Sequence, residues 1–206
     1  MSTWSEKEGR RRSFFERKTK ETQIVLALDL DGGRKALDVP GGFFAHMLDA
    51  LATHGGLGLE VSAKGDTHID LHHTVEDVGI VLGEAMVEAL GDRKGVVRFA
   101  SAYAPLDEAL ARAVVDLSGR GFFVHSMPEE LEQVWVTQDF PLSLIVDFFQ
   151  AFADRGRFTL HLDILRARNG HHAAEAAFKA VAVALRQALR VRDGGDVPST
   201  KGTLTV

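Results

Sequence analysis

His72-His73-Thr74-Val75-Glu76 is the stretch on which the reading turns, because His171-His172-Ala173-Ala174-Glu175 repeats its spacing in the second half of the chain. The surroundings of the two copies align as well, which marks an internal repeat. Upstream, His46-Met47-Leu48-Asp49-Ala50-Leu51-Ala52-Thr53-His54-Gly55 matches Asp147-Phe148-Phe149-Gln150-Ala151-Phe152-Ala153-Asp154-Arg155-Gly156, both with helical apolar spacing and a glycine stop. Next come strand-like runs at 57–63 and 158–165, in which apolar and polar residues largely alternate. Downstream of the motifs, amphipathic stretches reaching Leu90 and Leu189 predict two long helices. Further β-like runs at 23–30, 109–117 and 122–125, punctuated by Asp31-Gly32-Gly33 and Gly119, stand ahead of the helices.

Each half therefore reads β-β-α-β-α, and the predicted fold class is α+β: a tandem duplication with pseudo-twofold symmetry. The halves run over 16–93 and 94–193, with the joint near 91–95. Pieces of this size are small for independent stability, so they should share a core or bury faces against other subunits. Residues 1–15, with Arg10-Arg11-Arg12, read as a flexible solvated tail, and 194–206 as a C-terminal tail.

A net charge of −5 over 206 residues gives no electrostatic reason to expect nucleic acid or an anionic membrane as partner. The absence of cysteine removes disulfides, thiolate nucleophiles and Cys-ligated zinc, leaving histidine and carboxylate as metal ligands. No apolar run reaches the roughly 18 residues of a membrane span, and no secretory leader is evident, so a cytoplasmic location is expected.

Residues four apart share a helix face, so His72 with Glu76, and His171 with Glu175, can each chelate one metal. The adjacent His73 and His172 point about 100° away around the helix, which favours two different metals over one. His46 and its repeat partner Asp147 are further donors. Imidazole with carboxylate suits Mn²⁺, Fe²⁺ or Zn²⁺ better than Ca²⁺ or Mg²⁺, and an open site of high coordination number leans towards Mn²⁺. His54, His68, His125 and His161 read as structural or outlying residues. A second constellation of Arg98, Arg120, Lys179, Ser199 and Lys201 sits near turns and offers a phosphate cradle.

Taken together these residues resemble the imidazoleglycerol-phosphate dehydratases of histidine biosynthesis. The carriers are Glu16-Arg17-Lys18-Thr19-Lys20-Glu21-Thr22, His46-Met47-Leu48, Ile69-Asp70-Leu71-His72-His73-Thr74-Val75-Glu76-Asp77, Pro105-Leu106-Asp107-Glu108-Ala109-Leu110, Asp116-Leu117-Ser118-Gly119-Arg120, Arg168-Asn169-Gly170-His171-His172, Glu175-Ala176-Ala177-Phe178-Lys179 and Pro198-Ser199-Thr200-Lys201-Gly202. The resemblance runs from about Glu16 to Thr203. It implies a duplicated fold like the second domain of ribosomal protein S5, two Mn(II) ions per active site with no organic cofactor, and a large homo-oligomer of cubic symmetry with active sites shared between subunits. The implied reaction is the dehydration of imidazole glycerol phosphate to imidazole acetol phosphate, a carbon–oxygen lyase step on a small phosphorylated imidazole.

The same resemblance implies that His46, His72, His73, Glu76, His171, His172 and Glu175 are metal ligands, with Asp147 added as the repeat partner of His46, and that Arg98, Arg120, Lys179, Ser199 and Lys201 are phosphate contacts, the C-terminal tail carrying part of that set. Glu21 is the implied general base and substrate contact, with Glu76 and Glu175 beside it as catalytic carboxylates. The chain departs from the family pattern at Ala45, where Asp is usual, at Asp147, where many members have His, and at Ala167, where Gly is usual. Ala45 is the feature that favours the alternative of a non-catalytic, metal-binding oligomeric paralogue. A hydrolase using two metals to activate water has no distinct motif behind it.

Overall fold

In the computed structural model, which describes residues 9–192, 197–200, 202 and 204, the two halves are built alike. The first runs β1 (Arg12–Lys18), β2 (Thr22–Asp29), β3 (Lys35–Asp38), α1 (Gly42–Gly55), β4 (Gly58–Gly65) and α2 (His72–Leu90). The second runs β5 (Phe99–Leu106), β6 (Ala109–Asp116), β7 (Phe122–Ser126), β8 (Trp135–Thr137), β9 (Phe140–Pro141), α3 (Leu144–Gly156), β10 (Thr159–Arg166) and α4 (Gly170–Ala188).

The sheets have orders β1-β2-β4-β3 and β5-β6-β10-β7, the same topology twice. In both, the first three strands in that order pair antiparallel and the last pair is parallel. The α+β duplication thus stands as expected from the sequence, with one strand added at the front of each unit. β1 occupies part of the stretch expected to be tail: Arg12 pairs with Asp29 across the ladder and Arg11 forks onto Asp31. The arginines failed to read as strand because their side chains find carboxylates at the far end of β2 instead of solvent. The small β8-β9 sheet has no counterpart in the first half among the described residues.

Each sheet buries one face under helices of its own half, α2 on β1 and β2, and α4 on β5 and β6. The helices then pack across the pseudo-twofold, α2 on α3 and α1 on α4. One hydrophobic core results, running from Ile24, Leu26 and Leu28 through Phe44 and Phe148 to Phe178 and Leu185. Neither half has a core of its own to close, in keeping with their size. The inward faces differ: Ile24, Leu26 and Leu28 of β2 correspond to Ala111, Ala113 and Val115 of β6, and the thinner second sheet is covered by the alanine-rich α4.

The joint between halves is locked rather than loose. Arg93, only 2% exposed and at φ +60°, donates to the carbonyls of Leu117, Gly156 and Arg157. Residues after it zip against the end of α4, through Val97 N–H to Arg190 O (2.8 Å) and Arg192 N–H to Gly95 O (2.7 Å).

Outward, the sheets leave large side chains in view: Phe14 on β1, Phe99 and Tyr103 on β5, and Phe122 on β7 are each more than half exposed, at 55, 56, 59 and 60%. Phe14 belongs to the first sheet, and Phe99, Tyr103 and Phe122 to the second.

Candidate metal centre

Both His-His pairs sit at helix N-termini, where orphan backbone N–H groups need acceptors. Asp70 Oδ1 accepts from His72 N–H at 2.8 Å, and Asn169 Oδ1 accepts from His171 and His172 N–H at 2.8 and 3.3 Å. These caps fix the start of α2 and α4 and hence the direction of each imidazole.

The pseudo-twofold brings α1 to the start of α4. His46 Nε2 lies 3.2 Å and His171 Nε2 3.3 Å from the same oxygen, Glu175 Oε2. One donor atom from each of the three residues falls within 4.8 Å of the others, so the group can hold a metal ion. Two neutral imidazoles and a carboxylate fit a divalent transition ion. Burial alone would raise the Glu175 carboxyl, but hydrogen bonds from Lys179 and His46 outweigh it and hold its pKa below the usual range. Lys179 Nζ sits 2.5 Å from Glu175 Oε1, the other oxygen.

The mate of this cluster lies where α3 meets α2. His72 Nδ1 is 3.4 Å from Asp147 Oδ2, and His72 Nε2 is 3.8 Å from Glu76 Oε2. His171, Glu175 and His46 correspond one to one with His72, Glu76 and Asp147. A surface cavity of about 540 Å³ opens beside His72, lined by Gly41, Ile69, Asp70, Trp135 and Asp139 among others.

The second histidine of each pair is turned elsewhere. His73 Nδ1 meets Asp66 at 3.0 Å, and His172 Nδ1 meets Glu108 at 2.7 Å. Those contacts leave Nε2 of each ring for coordination. The Asp66 hydrogen bond raises the His73 pKa, with Glu21 adding to it through its charge. The Glu108 carboxyl is held down to about 2, chiefly by the His172 hydrogen bond. Glu108 also accepts from the N–H groups of Arg168 and Asn169, tying the loop ahead of α4 to the β5–β6 turn.

Asp66 and Glu108 were not singled out from the sequence, yet they orient the outer imidazoles as a carboxylate orients a metal-bound histidine. Their arrangement breaks the pseudo-symmetry. Glu108 stands directly before β6 as Glu21 stands directly before β2, while Asp66 follows β4 where Ala167 follows β10. In the second half, with alanine at 167, the turn glutamate reaches the histidine. In the first, Asp66 takes that place and Glu21 remains exposed. Searching for a carboxylate at matching turns of both repeats is the signal that would have found Glu108.

The residues expected to contact a phosphate gather elsewhere. Arg98, at φ +81°, lays its guanidinium on Asp116 (2.8 Å) and on the Pro198 carbonyl (2.6 Å). Arg120 is exposed on the loop after β6, where Ser118 Oγ contacts its carbonyl, and Ser199 follows Pro198. Lys201 lies outside the described residues. Arg98 N–H bonds Ala188 O at the C-terminal end of α4, whereas His171 begins that helix. The length of α4 puts about 25 Å between them. Lys179 therefore belongs with the His46 cluster and Arg98, Arg120 and Ser199 with the opposite end of the half.

Comparison with known proteins bears on this geometry. The family model described as imidazoleglycerol-phosphate dehydratase matches residues 40–185. The chain is 50% identical over 197 residues to the imidazoleglycerol-phosphate dehydratase of Ralstonia pickettii, covering 94% of this chain and 99% of the relative. It is 53% identical over 191 residues to that of Acidiphilium cryptum, covering 91% and 96%. Among solved structures, imidazoleglycerol-phosphate dehydratase from Staphylococcus aureus aligns with TM-score 0.77 at 36% identity, over 87% of this chain and 99% of the other. The Pyrococcus furiosus enzyme, solved in complex with (S)-C348, aligns with TM-score 0.78 at 34% identity, over 92% and 99%.

Proposed function

The chain belongs to the imidazoleglycerol-phosphate dehydratase family, and from that membership we propose that it eliminates water from imidazole glycerol phosphate to give imidazole acetol phosphate, with two divalent ions at each active site. It is a hydro-lyase of histidine biosynthesis. The observation that carries the metal-dependent reading is the convergence of His46 and His171 on one oxygen of Glu175, drawn from both halves of the chain.

His46, His171 and Glu175 would hold one ion and His72, Glu76 and Asp147 the other. His73 and His172, turned away with Nδ1 already held, offer Nε2 to ions of neighbouring copies. Divalent ions there would supply Lewis acidity towards the substrate's ring nitrogens. The mixed imidazole and carboxylate donors suit Mn²⁺.

Glu21 acts as the general base on the carbon-bound proton. Its exposure at the β1–β2 turn and its charge acting on His73 support that role. Arg98, Arg120, Ser199 and Lys201 hold the phosphate, the arginines as planar forks; Lys179 holds the other oxygen of Glu175.

A single copy cannot bring these parts onto one substrate, because about 25 Å of helix separates Arg98 from His171, far beyond a three-carbon chain carrying a phosphate. The site is completed between copies of the chain in a homo-oligomer of cubic symmetry. The exposed aromatics on the sheet faces support such an assembly. The enzyme works in the cytoplasm; no helix among the described residues is long and apolar enough to cross a membrane.

Ala45, one residue from His46 on α1, supports the other reading, an assembled metal-binding paralogue without turnover. One assay separates the two: metal-reconstituted protein with imidazole glycerol phosphate, beside Glu76→Gln and Glu175→Gln. Formation of imidazole acetol phosphate by wild type and its loss in both variants is expected. Folded, metal-loaded wild type that forms no product would establish the paralogue instead.

A further inference from the structure

The two donor clusters occupy pseudo-equivalent places, but they are not chemically equal. At one, His46 and His171 supply two nitrogens to a single carboxylate, Glu175. At the other, Asp147 stands where His46 stands, so one nitrogen, from His72, faces two carboxylates. The intrachain donors carry formal charge −1 in the first set and −2 in the second.

Geometry separates them further. In the His46 cluster both Nε2 atoms point at Glu175 Oε2, and the three donors already lie within 4.8 Å of one another. In the Asp147 cluster the two carboxylates lie against different nitrogens of one ring, Nδ1 at 3.4 Å and Nε2 at 3.8 Å. A single ion there must draw both carboxylates to the same side of His72, and the shorter aspartate side chain cannot extend as an imidazole does. The donors of the first cluster already converge, and those of the second do not.

We propose that the chain holds two unlike metal sites: the His46/His171/Glu175 cluster takes nitrogen-seeking transition ions first and tightly, while the His72/Glu76/Asp147 cluster fills second and accepts hard, oxygen-seeking ions. This rests on the reading that both clusters bind metal. The physical basis is ligand type, since imidazole favours the later first-row ions and carboxylate favours Mg²⁺ and Mn²⁺. Exchanging a donor should matter at least as much as losing an outlying partner of a metal ligand, an effect of about 10- to 100-fold in affinity. The consequence is a mixed occupancy in which cobalt or zinc occupies one site and manganese or magnesium the other.

The test is calorimetric titration of the chelator-stripped, assembled protein with Co²⁺, with the cobalt visible absorption band followed in parallel. Wild type should bind in two steps separated by at least about tenfold. Asp147→His should merge them into one tight class, and Glu175→Gln should remove the tight step. If Asp147→His fails to assemble, Asp147→Asn serves, and should abolish the weak step while leaving the tight one. Elemental analysis after loading with equimolar Co²⁺ and Mg²⁺ should find one cobalt per chain in wild type and two in Asp147→His. Two equivalent Co²⁺ sites in wild type, or a weak step unmoved by both Asp147 variants, would overturn the inequality while leaving the dimetal reading standing. Failure of either cluster to bind Co²⁺ or Mn²⁺ would bring down the dimetal reading itself.

Discussion

Glu108 is the residue whose role can be tested most directly, because its carboxyl is held down to about 2 by the hydrogen bond to His172. A carboxyl whose folded pKa lies below its unfolded value, ordinarily 4.5, stabilises the fold above that value and loses its contribution as pH falls towards the folded one. The thermal midpoint of metal-free protein should therefore drop between about pH 4.5 and pH 2, and Glu108→Gln should flatten that limb. The His73–Asp66 pair has the opposite sign on the histidine side. Its raised histidine stabilises below the ordinary value of 6.5, and the contribution fades as pH rises through the raised one. A different residue carries an unmet need: the Thr74 hydroxyl is fully buried without a hydrogen-bond partner among the described residues, and its repeat counterpart is Ala173. Removing an unsatisfied hydroxyl offsets the lost packing, so Thr74→Ala should change unfolding free energy by less than about 1 kcal/mol in denaturant titration.

Between elements, the two pseudo-equivalent helix pairs differ in closeness. A Cβ added at Gly79 would meet Phe148 O at 2.7 Å, and one at Gly83 would meet Gly156 N at 2.6 Å and Phe152 O at 2.8 Å. These are backbone atoms of α3, so α2 and α3 touch main chain to main chain. The matching positions of α4 are Phe178 and Ala182, and the Phe178 ring packs on Phe148 and Phe149 of α3. Gly83→Ala should destabilise the protein by about 2 kcal/mol through overpacking, and because α3 carries Asp147 it should also weaken metal uptake at the His72 cluster. The joint between halves gives a second measurement. Arg93→Met fills a similar volume but strands the carbonyls of Leu117, Gly156 and Arg157, and should cost about 3 kcal/mol in chemical denaturation. Nothing in the run 91–95 announces this lock; a Gly-flanked Asp-Arg-Lys reads as a turn until the two halves close on it.

At the scale of the whole molecule, the His46 cluster and the residues proposed to hold the phosphate stand at opposite ends of α4. If, as proposed, a substrate is served only where two copies meet, defects at the two ends should complement. Arg120→Ala and Glu175→Gln proteins, each inactive alone, should regain turnover when disassembled and reassembled together; no recovery would mean that each copy completes its own site. The sequence by itself determined the duplication, the α+β class and the pairing of His with Glu on one helix face, because periodicity and spacing along a helix are local properties. It also separated the adjacent histidines, since neighbouring positions on a helix diverge by about 100°. Only the tertiary structure decided which donors meet. His46 joins the opposite half's motif because α1 crosses the pseudo-twofold to α4, and Asp66 rather than Glu21 holds His73 because two loops converge there. The edge strands β1 and β5 were hidden for another reason: each forms a hairpin with the strand that follows it, but most of its side chains stay half-buried or exposed, so no apolar period marks it. The Arg93 lock was hidden because the carbonyls it holds lie far along the chain.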